Sequence, residues 1–170
     1  MSNMLSEQIL NNHSAFLETL RHRFLDESRV SALQRFAEIG FPTRKDEEYR
    51  YTNIREIIEK NYNFFPKESH NISKEQLDLL HLGEENFDWI VFVNGKLCKE
   101  FSKISIENAE FLSFNYALND AAHKDVFDEY FNTIASKKLA FTNLNEAYCK
   151  FGFFLKVPKN VVIEKPIHVF

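Results

Sequence analysis

Apolar positions near the N-terminus recur at helical spacing. Leu5, Ile9, Phe16, Leu17, Leu20 and Phe24 fall on one face, which predicts a first helix ending near Leu25. Asp26 or Ser28 can cap a second helix that turns Val30, Leu33, Phe36 and Ala37 inward. Gly40 with Pro42 just beyond is the expected stop, so the two helices read as an α-hairpin. Thr43 to Asp46 resembles a capping box with Asp in place of Glu, and predicts a short turn or helix after it. Thr52 can cap a segment that places Ile54, Ile57 and Ile58 together. Ser73-Lys74-Glu75-Gln76 is a fuller box ahead of Leu77, Leu79 and Leu80.

The period then changes. Trp89 to Val93 reads as a buried strand, Asn94-Gly95 as a hairpin turn, and Lys96 to Phe101 as the returning strand. Asn94-Gly95 carries this reading because both residues accept positive φ. Ile104 and Ile106 continue an extended stretch, and Glu110 to Ala117 reads as a further strand. Asp125 to Phe131 and Leu139 to Lys150 return to helical spacing.

The tail alternates again. Phe153, Leu155 and Val157 share a face, Pro158-Lys159-Asn160 breaks the run, Val161 to Ile163 resumes it, and Glu164-Lys165-Pro166 breaks it before Ile167 to Phe170. A proline cannot donate to a ladder, so each one marks an edge or a corner. Strands this short suit a coiled sheet such as a β-solenoid, which cannot bury its apolar face with one or two rungs. The tail therefore predicts the front part of a longer protein. Its alternative is a small sheet completed by earlier strands. The expected fold class is α+β: a helical region over 1–66, a mixed region with a β-hairpin over 67–150, and the start of a β-helix over 151–170.

Composition allows such a core. Of 170 residues 44% are hydrophobic, and 18 are Phe. A net charge of −4, with bases interleaved among acids as in Arg44-Lys45-Asp46-Glu47-Glu48, does not favour nucleic acid or an anionic membrane. Met1 to Glu7 lacks the basic start and apolar run of a secretory signal, and Trp89 to Val93 is far too short to span a bilayer. Two cysteines without a signal point to reduced thiols in the cytoplasm.

No catalytic, cofactor-binding or metal-ligating set emerges. Cys98 and Cys149 are isolated, without a CxxC or CxxH partner. The six histidines show no metal-ligand spacing, and His168 draws notice only because it lies in the β tail. Four glycines leave no phosphate loop. Asp46, Glu47 and Glu48 are adjacent, and adjacent helical residues do not face one another, so a solvated first turn is the simpler reading.

Gly40-Phe41-Pro42-Thr43-Arg44-Lys45-Asp46-Glu47-Glu48-Tyr49-Arg50-Tyr51-Thr52-Asn53 resembles the N-terminal signature of the SufD family, with Tyr49 where Trp is commoner. Asn143 to Tyr148, Gly152 to Asn160 and Glu164 to His168 are similar to a second stretch of that family, and Phe92 to Gly95 to a third. The resemblance implies a component of the SUF machinery that assembles iron–sulfur clusters. It implies a right-handed parallel β-helix after the helical and α+β regions, and SufB and the ATPase SufC as partners. It implies a non-catalytic scaffold subunit of a SufBCD complex, with no cofactor held by this segment. The family's site residues find no position here. The alternatives are a stand-alone interaction domain, or the N-terminal part of another β-helix protein such as a carbohydrate-active enzyme. A final strand with a bare edge predicts self-association through 161–170, or else a disordered tail.

Overall fold

The computed structural model describes residues 4–20, 24–59, 72–73, 75–76 and 86–170. The chain clusters into two units, Met1–Pro66 with Ala122–Cys149, and Lys67–Ala121 with Lys150–Phe170. This grouping differs from the expected 1–66, 67–150 and 151–170. Residues 122–149 fold with the helices, and the tail folds with the strands.

The first unit is helical: α1 (Met4–Glu18), α2 (Asp26–Ile39), α3 (Ile54–Glu59), α5 (Lys124–Tyr130) and α6 (Ala140–Ala147), with a 3-10 turn at Glu47–Tyr49. Leu5, Ile9, Phe36, Ala140 and Leu144 form the core, joined by Leu33, Phe41, Ile58, Phe141 and Tyr148. α2 packs chiefly along α6 and only lightly on α1, so the expected α1–α2 hairpin is the lesser contact.

α1 ends at Glu18, short of Leu25, because Thr19 turns its amide and its hydroxyl onto the Phe16 carbonyl and closes the last turn. The buried stripe of α2 runs Leu25, Arg29, Ala32, Phe36. Val30 and Ala37, expected inside, are exposed. A polar Arg29 at the i+4 position after Leu25 disguised the true face. Neither Asp26 nor Ser28 caps the helix; Leu25 holds that position without a side-chain bond, while Asp26 and Ser28 turn to Arg29 and Glu146.

Gly40 ends α2 as expected, at φ 70°, with its amide donating to the Phe36 carbonyl. Thr43 donates from its amide and its hydroxyl to one Asp46 oxygen, at 2.7 and 3.0 Å. Asn53, one residue beyond the expected Thr52, caps α3 by accepting from the Glu56 amide. Both arms of the Ser73–Gln76 box are formed. Leu77, Leu79 and Leu80 lie outside the described residues.

Among its described residues the second unit has three two-stranded ladders and a helix that follows the fourth strand. Its strands are β1 (Asp88–Ile90), β2 (Phe92–Val93), β3 (Lys96–Leu97), β4 (Glu110–Ser113), β5 (Phe153–Lys156) and β6 (Ile167–Val169). The helix is α4 (Phe114–Asn119). β2 and β3 form the hairpin, with Asn94 at φ 49° and Gly95 at φ 79°. The expected strand over 89–93 is broken at Val91, whose amide donates to the Ser102 hydroxyl and whose carbonyl accepts from the Cys98 amide. The expected strand over 110–117 gives way to α4, which buries Phe114 and Ala117.

The tail pairs with earlier strands. β5 runs antiparallel to β4, from Ser113 opposite Phe153 to Glu110 opposite Lys156. β6 runs parallel to β1, with Asp88, Trp89 and Ile90 opposite Ile167, His168 and Val169. Val161 to Ile163 forms no strand; a turn links the Val161 amide to the Pro158 carbonyl. The tail is thus ordered, and β1 covers one side of β6. In this register the backbone groups of Ile167 and Val169 point away from β1. No described helix is long and apolar enough to cross a membrane.

Candidate functional site

The stretch Asn143 to Tyr148 lies in and just past α6, at the centre of a buried polar network. Glu146 is 4% exposed. Its two oxygens accept from the Ser28 hydroxyl at 2.5 Å and from Arg35 Nη2 at 2.9 Å. Arg35 Nε reaches Asn143 Oδ1 at 2.7 Å, and the Asn143 amide donates to the carbonyls of Lys137 and Leu139, both at 2.8 Å. One carboxylate therefore ties α6 to two turns of α2, and one amide closes the loop that leads into α6. Buried polar groups need such matching, since an unpaired one costs about 1–3 kcal/mol.

The end of α6 is held by three consecutive residues. His13, 3% exposed, donates from Nε2 to the Ala147 carbonyl at 2.9 Å. The Tyr148 hydroxyl donates to the Ile9 carbonyl, and the His13 and Tyr148 rings meet edge to face at 5.3 Å. Arg29, 2% exposed, donates from Nε and Nη2 to the Cys149 carbonyl and from Nη1 to Asp26. Last-turn carbonyls lack intrahelical partners, and a cation near them meets the negative end of the helix dipole. Burial pulls the Arg29 guanidinium below its ordinary value, opposed by the attraction of Cys149 and Asp26. Burial also pushes the Tyr148 phenol up to about 12. It raises the Cys149 thiol too, against the neighbouring Arg29 charge. This arrangement orients the helices of the first unit.

The signature Gly40 to Asn53 splits in two. Its packed half includes Phe41, which meets Phe36 and Phe141, and Tyr49, which also meets Phe141. The Thr43 amide and hydroxyl hold the Asp46 carboxyl below its ordinary value. Its other half, Arg44, Lys45, Glu47, Glu48, Arg50 and Tyr51, is exposed.

In the second unit, Asp88 is 2% exposed and accepts from the amide and hydroxyl of Ser105, at 2.8 and 2.7 Å. Lys165 Nζ lies 3.5 Å from the same hydroxyl. These residues border a groove of about 440 Å³ with Glu107, Asn108 and Glu164. Both Asp88 oxygens are engaged by Ser105, so the carboxylate anchors that loop to β1.

Cys98 packs beside Val91 and Val93 in the second unit, and Cys149 belongs to the helical unit. The His168 ring lies 4.3 Å from Phe87 and 6.2 Å from Phe170, within an aromatic row. No three described His, Cys, Asp or Glu side chains are grouped to hold a metal. His13 and Arg29 escaped the sequence reading. The available signal was spacing: His13 follows Ile9 by four, and Arg29 lies between Leu25 and Ala32 at four and three.

A family model described as the SufBD protein N-terminal region matches residues 5–169. A comparison with curated proteins finds no match.

Proposed function

Because the chain belongs to the SufBD family through its N-terminal region, we propose that it is the N-terminal part of a SufD-type scaffold subunit for iron–sulfur cluster assembly. The observation that carries this reading is the family match over residues 5–169. The signature Gly40 to Asn53 favours the SufD side of the family over SufB.

In this reading the protein is cytoplasmic and non-catalytic, and it works in a complex with SufB and the ATPase SufC. SufC hydrolyses ATP, and the cluster is cargo handled by the assembly. The helical unit serves as a rigid body, consistent with polar groups spent on holding helices together. β6, already parallel to β1, is the kind of strand from which a right-handed β-helix begins.

A pull-down tests the proposal. Tagged full-length protein, expressed in its own cells, is expected to recover SufB- and SufC-like subunits. Recovery of neither overturns it.

A further inference from the structure

One turn of α1 supplies both halves of a catch. Its Ile9 carbonyl accepts from the Tyr148 hydroxyl, and its His13 ring donates to the Ala147 carbonyl. The two bonds run in opposite senses between the same pair of turns, and the His13 and Phe16 rings close on Tyr148 at 5.3 and 4.8 Å. Elsewhere α1 is held lightly. Its buried side chains among the described residues are Leu5, Ile9 and His13, a single stripe at intervals of four. Its packing on α2 is slight beside that of α2 on α6.

The α2–α6 pair is built differently. Arg35 meets Glu146 as an ion pair at 2.9 Å, Ser28 donates to the same carboxylate, and the Arg29 guanidinium holds the Cys149 carbonyl. Hydrogen bonds to ionised groups are roughly twice as strong as those between neutral ones. The ties of α1 join a ring and a phenol to backbone carbonyls, and water can replace each of them. Local openings of a native protein follow such differences, and the weakly held element leaves first. Because Arg29 belongs to α2, its grip on Cys149 does not depend on α1. Ala147 and Tyr148 therefore keep their places when α1 is gone.

We propose that α1 is a releasable strap: it leaves as one unit while α2 and α6 stay packed, and the turn Ile9 to His13 with Ala147 and Tyr148 is the catch that recloses it. Release uncovers an apolar seat formed by Phe36, Ala140 and Leu144, whose occupant is α1 itself through Leu5 and Ile9. The catch sets how often that seat stands open. Once released, α1 melts, since helices of about 12–15 residues are marginal alone in water. The device is a property of the first unit and does not depend on the scaffold reading.

The test is hydrogen exchange of the full-length protein, read by mass spectrometry on overlapping peptides, for the wild type, Tyr148→Phe and Ser28→Ala. Peptides of α1 are expected to exchange together, at least about tenfold faster than those of α2 and α6. Tyr148→Phe removes a bond that is lost both on release of α1 and on full unfolding. It should speed α1, α2 and α6 alike, by about two- to tenfold. Ser28→Ala removes a bond to Glu146 that survives release of α1. It should speed α2 and α6 about fivefold and leave α1 unmoved. Equal speeding of α1 by Ser28→Ala would mean that α1 opens only when the whole unit unfolds, and overturns the strap. Rates graded along α1 would mean fraying from an end, and overturn it too. Unmoved α1 exchange in Tyr148→Phe overturns the catch.

Discussion

Arg29 grips the carbonyl oxygen of Cys149 with two guanidinium nitrogens, at 3.0 and 2.8 Å, from a position 2% exposed to solvent. Removing it strands a carbonyl and the Asp26 carboxylate. Arg29→Ala is expected to destabilise the chain by about 2–4 kcal/mol. Chemical denaturation should show this as a lower midpoint at unchanged slope. Arg29→Lys should recover only part of the loss, since an ammonium lacks the fork. Full recovery by lysine would mean that charge alone acts here.

Glu146 joins Ser28 and Arg35 across the α2–α6 contact. Glu146→Ala is expected to cost about 2–3 kcal/mol, because the half-buried Ser28 hydroxyl and the Arg35 guanidinium both lose their carboxylate. Ser28→Ala should cost less, about 1 kcal/mol. A double-mutant cycle between positions 35 and 146 is expected to show coupling; additive losses would contradict the network.

The Tyr148 phenol, raised to about 12 by burial, is neutral in the fold at pH values where an unfolded tyrosine already ionises. A raised folded pKa contributes stability that is full below the unfolded value, about 10, and fades as pH climbs through the folded one. Stability should therefore fall between about pH 10 and 12. Tyr148→Phe should flatten that slope and cost about 0.5–1.5 kcal/mol at neutral pH through the lost bond to Ile9. Urea midpoints measured across this range check both.

Asp46 moves the other way. The Thr43 amide and hydroxyl favour its ionised form and lower its pKa. A depressed folded pKa gives stability present above the unfolded value, about 4, and lost as pH falls through the folded one. The carboxyl resonance of Asp46 should titrate below that of an unfolded aspartate, and Thr43→Val should move it upward. An unmoved resonance in Thr43→Val would contradict the bond.

Burial raises the Cys149 thiol, leaving less thiolate at neutral pH. Iodoacetamide should label Cys149 several-fold more slowly in the native chain than in the denatured one. Mass spectrometry of the labelled peptides gives the two rates.

What the sequence disclosed was what neighbours along the chain decide. Gly40 with Pro42, Asn94-Gly95 and the Ser73–Gln76 box are local chemistry, and each took the expected form. The helix faces were harder. His13 and Arg29 sit at apolar spacing but are polar, and what makes them buried is a carbonyl presented by α6, more than a hundred residues away. Asp26 and Ser28 look like caps, but Asp26 pairs with Arg29 one turn on and Ser28 is drawn off by Glu146 in α6. Val91 breaks a strand because a serine at 102 takes its amide. Parallel pairing of β6 with β1 leaves no local mark, because its register is set between distant segments. The signature Gly40 to Asn53 was legible as a stretch, whereas its division into packed and presented halves required the fold.

Each unit takes a piece from well downstream: α6 joins the helices, and β5 and β6 complete two of the three ladders. During synthesis the N-terminal segments must therefore wait. α2 emerges from the ribosome long before the helix it packs on, and β1 long before its parallel partner. Their apolar faces stay open until those later segments emerge, an interval in which aggregation and chaperone capture compete with folding. Synthesis rate, as much as equilibrium stability, is then a determinant of how much of this protein reaches its native state.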